Sequence, residues 1–342
     1  MKTKILLLLT LLLFLISMAC AGSTPASPTQ SSGPDPDVQG TVDASIAATN
    51  TAAAAVQTTI DASVQATVQA QATPQPVDVS EMSEEEVVKE VEDAVNNAAD
   101  ASARTATTST EATADGTVTT EEVETIYTDY EEAYAELLYA YELIDAYYDV
   151  YGELAEETLA LLEDLEDDLD ELYSSLDEIS TVLMEIEVTL SAGVELAEET
   201  IAQLEAAAQA AQEKAAVAQT QAQTWVAEFQ LKLEARATSV LEVLPDNIPA
   251  DREAAIESLF VYLELVKGAI GDNKISSLEL AEIAQARANS AAGIQAHGGP
   301  PLQNLVGQMD QLTVQLAKGQ LPAARSGLGG FEASLPDRPV RP

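Results

Sequence analysis

The run Glu163-Asp-Leu-Glu-Asp-Asp-Leu-Asp-Glu171 has the composition of a cation site. A calcium loop, however, wraps its oxygens around the ion at a turn. Here Leu165 and Leu169 recur at helical spacing, so the carboxylates radiate from a rod and form a solvated, self-repelling face. The only histidine, His297, sits beside Gly298 and Gly299 and reads as a loop residue rather than a catalytic base. Gly327-Leu-Gly-Gly330 lacks the Lys-Ser/Thr pair and the preceding strand of a phosphate-binding loop. A single cysteine excludes an internal disulfide framework and a Cys-rich zinc site. There is no Ser-His-Asp pattern, no dinucleotide fingerprint and no carboxylate pair set in an expected pocket. The chain is therefore expected not to be an enzyme and to carry no cofactor.

Two stretches resemble known patterns. Lys2 and Lys4 precede an apolar run, Ile5 to Ile16, broken only by Thr10, and Ser17-Met18-Ala19 places small residues before Cys20. This three-part form is that of a secretory signal, too short for an ordinary membrane span. With the cysteine directly after the cleavage point, it resembles the bacterial lipoprotein signal, although Ser17 stands where that family has an apolar residue. The resemblance implies that Cys20 is lipidated and becomes the new N-terminus. Ordinary cleavage at the same bond, leaving a free thiol, is the alternative. The second stretch, Gly271-Asp-Asn-Lys-Ile-Ser-Ser-Leu-Glu-Leu280, resembles the second half of an EF-hand or dockerin calcium loop. That resemblance implies Asp272 and Glu279 as metal ligands. Gly268 and Ile270 stand where the first ligands would be, and Asn273 replaces the turn glycine. A helix start capped by Ser276 and Glu279 accounts for the same residues.

The elements that would position such groups are helical throughout. From Val123 apolar residues alternate three and four apart: Val123, Tyr127, Tyr130, Tyr134, Leu137, Tyr141, Ile144, Tyr148 and Tyr151. The register continues through Ala155 and Thr158 to Leu162, Leu165, Leu169, Leu172, Leu176, Ile179, Leu183, Ile186 and Leu190. This predicts a coiled coil or long bundle helix, about 100 Å if unbroken. Six of its first nine positions are Tyr, which makes that half a wet seam, a surface receiving another helix, or an aromatic face for glycan or peptide contact. A second series runs from Val194 through Ala-rich positions to Trp225 and Phe229, with a stutter at Gly193. The short Ser191-Ala-Gly193 segment favours continuity or a kink there over a hairpin.

Around this core we expect a signal at 1–19 and a Ser/Thr/Pro tether at 20–39. Residues 40–73 repeat Val42-Asp-Ala-Ser as Ile60-Asp-Ala-Ser, as a marginal helix or disordered stalk. A short helix capped by Ser83 and Glu86, then a Thr-rich linker, fill 74–118. The long coiled-coil helix or hairpin takes 119–244, a small helical bundle 245–335 and a tail 336–342. The 342 residues carry a net charge of −43, and residues 105–213 hold 31 acids and no base. Such a balance argues against nucleic acid.

The expectation is thus an all-α, lipid-anchored, extracytoplasmic protein at the cell surface or in the periplasm. It joins a long acidic coiled-coil or helical stalk to a small C-terminal helical bundle, behind a low-complexity N-terminal region. Its expected role is structural, as a spacer, or interactive, with itself or other helical envelope proteins through the seam Leu162 to Leu190. The alternative is a binding module whose C-terminal bundle recognises a soluble ligand, envelope polymer or receptor.

Overall fold

Every regular element among the described residues is helical. The structure, a computed structural model, describes residues 77–271 and 273–339. The signal, Cys20, the tether, the 40–73 repeat and Asp272 lie outside them. In chain order the helices are α1 (Glu84–Thr113), α2 (Thr120–Tyr151), α3 (Leu159–Ser191), α4 (Glu198–Glu242), α5 (Arg252–Gly271), α6 (Ser277–Gly293), α7 (Pro300–Ala317) and α8 (Leu321–Ser334). A 3-10 turn (Glu156–Thr158) precedes α3, and a π turn (Ile294–Gly298) follows α6.

Helices α1 to α4 form an antiparallel four-helix bundle. Arg104 reaches Glu132, Asp100 accepts from Gln219, Lys214 reaches Glu171 and Tyr141 reaches Asp170, so each helix runs opposite to its neighbours. Ser83, Thr119 and Ser276 each close a full capping box with Glu86, Glu122 and Glu279, which fixes the starts of α1, α2 and α6.

The seam from Val123 to Leu190 does not run as one rod. The helix stops at Tyr151, and the amides of Leu154 and Ala155 both bond to the Tyr151 carbonyl. The chain then reverses, and α3 returns beside α2. The break falls where the seam has only Ala155 and Thr158, both buried in the turn. Gly193 likewise ends α3 rather than kinking a continuous helix. It adopts φ +67°, its amide bonds to the Leu190 carbonyl and that of Val194 to the Thr189 carbonyl. That left-handed glycine cap is a stop signal, so α3 and α4 form a hairpin.

The Thr-rich segment expected to be a linker is helical as far as Thr113. The inward positions of α1 include Val91, Val95, Ala98, Ser102, Thr105, Ser109 and Ala112, all buried at three- and four-residue spacing. The hydroxyls of Ser102, Thr105 and Ser109 each bond back to the carbonyl four residues earlier. Polar side chains thereby satisfy themselves inside the bundle, and a heptad seam exists without a hydrophobic signature. Small residues here and along the Ala-rich face of α4 let α1 and α4 approach closely. Between α2 and α3 the seam is tyrosine, and the rings hold these two helices further apart.

Helix α4, at 45 residues about 67 Å long, continues past the bundle into the C-terminal head, where α6 and α7 pack against it and α5 and α8 pack on those two in turn. Helix α5 passes through Gly268 and ends at Gly271. Within the head the Tyr262 hydroxyl donates to the Met309 carbonyl, and its ring meets Phe331 edge-on. Arg287 ties the head to α4 by bonding Asp310 and the Leu241 carbonyl.

Candidate functional site

The most heavily invested polar arrangement is a buried junction between bundle and head. Glu84, in the first turn of α1, has no exposed surface, and its carboxylate pairs with the Arg236 guanidinium of α4. The Tyr147 hydroxyl of α2 donates to the other carboxylate oxygen at 3.1 Å. Arg236 also donates to the Ala317 carbonyl at 2.6 Å and the Leu154 carbonyl at 2.9 Å, and Glu157 lies 3.6 Å away. One side chain thus gathers α1, α4, the α2–α3 turn and the end of α7.

Gly319 completes the junction. Its carbonyl accepts from the Glu84 amide and from the Tyr151 hydroxyl, each at 3.3 Å. The Tyr151 hydroxyl also donates to the Met82 carbonyl at 2.6 Å. Gly319 has φ +60°, and a Cβ there would fall 2.5 Å from the Glu84 Cβ. Both the turn and the close approach require glycine. Trp225 packs edge-on to Tyr147 with centroids 5.6 Å apart and is fully buried.

Burial pushes Glu84 up to about 7, against the opposing pull of Arg236 and Tyr147. A carboxyl whose folded value lies above its unfolded one contributes stability below about 4.5 that is lost as pH rises through about 7. The melting temperature is therefore expected to fall between pH 5 and pH 8, and Glu84→Gln should flatten that slope. Thermal unfolding followed by circular dichroism across this range tests it; an equal slope in the variant would assign the effect to the rest of the acidic surface.

The second arrangement is the flank shared by α2 and α3. Tyr141 donates to Asp170 at 2.6 Å and Tyr148 to Glu166 at 3.1 Å. Tyr130 and Tyr134 stack at 6.0 Å, and Tyr134 meets Tyr173 at 5.7 Å. Burial pushes the Tyr127 hydroxyl up to about 12, and the nearby Glu187 charge adds to it. The hydroxyls of Tyr141 and Tyr148 are thus satisfied by carboxylates across the α2–α3 interface, as in a wet seam, while their rings stay half-exposed.

The residues singled out from sequence are not brought together. Glu279 is occupied in the capping box, accepting from the Ser276 amide and hydroxyl at 3.0 and 2.9 Å. Leu162, Leu165, Leu169, Leu172, Leu176, Ile179, Leu183 and Ile186 are buried within this one chain, and Leu190 is half-buried at the tip. Their apolar surface is used internally, so it is not a face on which a second chain could dock. His297 is exposed in the π turn.

The Glu84–Arg236 junction was not anticipated. Glu84 reads as one of three ordinary first-turn acids, and its partner lies 152 residues away. The one local clue is the pair Tyr147 and Tyr151, two aromatic residues one turn apart where a helix ends. The chain matches no protein-family model, no curated protein and no solved structure.

Proposed function

We propose that this is a lipid-anchored extracytoplasmic protein that acts as a structural spacer and interaction module at the cell envelope. The observation that carries the spacer reading is the Glu84–Arg236 junction with the unbroken α4. A strained or mobile joint between bundle and head would defeat a spacer. Here one helix runs through both, and a buried ion pair bolts the start of α1 to it. The anchor rests on the resemblance of the first twenty residues to a lipoprotein signal.

The test is chemical. In a bacterial host, the wild type is expected to incorporate labelled fatty acid and to partition with membranes. Cys20→Ser should abolish the label and release the protein in soluble form. Retention of both label and membrane association in the variant would refute the anchor.

The second reading, a head that binds a ligand, is favoured by one feature. Leu244 is 81% exposed and Ile248 is also exposed on the loop after α4, and Leu241 in the last turn of α4 is exposed as well. The loop is not free to fold these residues away. Gln285 holds the Leu244 carbonyl, and Asn289 holds Asp246 and the Asn247 amide. A fixed apolar loop of this kind is suited to contact.

A further inference from the structure

We propose that the flank formed by α2 and α3 is a docking face for a basic polypeptide segment, one whose Lys or Arg side chains lie along the tyrosine ladder. This deepens the interaction role proposed above by giving the partner a chemistry. Every charged residue of α2 and α3 is acidic. Two cations from other helices, Arg104 of α1 and Lys214 of α4, attach at Glu132 and Glu171.

The face has more than charge. Tyr130, Tyr134, Tyr141 and Tyr148 are half-buried along one side of α2, and the exposed Tyr173 of α3 completes a cluster with Tyr130 and Tyr134. Between and beside the rings stand Asp145, Glu163, Glu166, Asp170 and Asp177. Half-exposed rings offer their negative faces to a cation, and tyrosine gives contact area while losing little side-chain freedom. The hydroxyls are already tied to Asp170 and Glu166, so the rings are held in place before a partner arrives. From Tyr127 to Tyr148 the ladder is about 32 Å long at 1.5 Å per residue, the length of a helix of about twenty residues. A basic partner would also relieve the repulsion among carboxylates that no cation of α2 or α3 offsets.

The probe is a twenty-residue Ala/Arg peptide with arginine at every fourth position, set against the same peptide with glutamine for arginine. Binding to the full chain is read by calorimetry at two salt concentrations. The arginine peptide is expected to bind, more weakly at high salt, and the glutamine peptide not to bind. The Tyr134→Ser/Tyr173→Ser variant, with its fold checked by circular dichroism, should weaken binding about tenfold. Two double variants of equal charge change locate the site. Glu163→Gln/Asp177→Asn lies on the flank, whereas Glu90→Gln/Glu205→Gln lies on α1 and α4. Weakening by the first pair alone supports the proposal. Equal weakening by both pairs, unchanged binding in the tyrosine variant, or no binding by the wild type overturns it. Because the readout is peptide binding by the purified chain, it can fail while the Cys20 experiment succeeds, and the reverse.

Discussion

Arg236→Ala is expected to destabilise the protein by about 3–5 kcal/mol, the cost of removing one partner from a buried ion pair. The size follows from what is left behind. Glu84, with no exposed surface, would lose its counter-charge, and the carbonyls of Leu154 and Ala317 would lose their donor. Urea unfolding of the full chain measures it. Measured at pH 8, above the value of about 7 for Glu84, Glu84→Gln in the Arg236→Ala background should recover part of the loss, since a neutral amide needs neither a counter-charge nor a proton taken from solution. A cost under about 1 kcal/mol, the range of an exposed ion pair, would show that water reaches the junction and that bundle and head are not bolted together there.

Trp225→Ala is the other large effect, expected at about 3–5 kcal/mol from lost burial and the cavity created. The neighbouring positions of its seam, Ala218 and Ala222, are too small to fill the space. Tyr147 would lose its edge-on neighbour while still holding Glu84, so this substitution should be non-additive with Arg236→Ala. Trp225→Phe separates packing from polarity. The indole nitrogen is buried without a hydrogen-bond partner, so phenylalanine removes volume but breaks no bond. About 1–2 kcal/mol is expected for it, by analogy with modest core truncations. A phenylalanine variant as unstable as the alanine one would mean that the indole nitrogen has a partner after all.

The sequence reveals local signals well and long-range pairing poorly. The three capping boxes were readable because each is a four-residue pattern whose partners are fixed by helix geometry. The burial of Leu162 to Ile186 was readable from spacing. Direction was not. Heptad spacing survives through Ala155 and Thr158 because the register of α3 happens to continue that of α2, and nothing in a repeat of seven records whether the chain has turned between repeats. The useful clue was the loss of large residues at those two positions. The α1 seam was hidden for the opposite reason. Ser102, Thr105 and Ser109 are core positions made of polar residues that bond to their own helix, so a hydrophobic pattern passes over them. The junction required knowing that residues 84 and 236 meet, which no local pattern contains.

The Ser/Thr interior of α1 also sets an order of assembly. Ser and Thr are poor helix formers, and most helical stability in a protein comes from packing of an amphipathic face, so α1 depends on neighbours for its helical state. Helices α2, α3 and α4 can zip up through two short hairpins, each closing a small loop. The α1–α4 contact must instead close a loop of well over a hundred residues, an entropic cost that delays it. As the chain is made from its N-terminus, α1 can pair early with α2 across the short turn 114–119, but the face it turns to α4 stays uncovered until α4 arrives. The last contact to form would then be the one that couples head to bundle, so the molecule becomes rigid only when its synthesis is nearly complete.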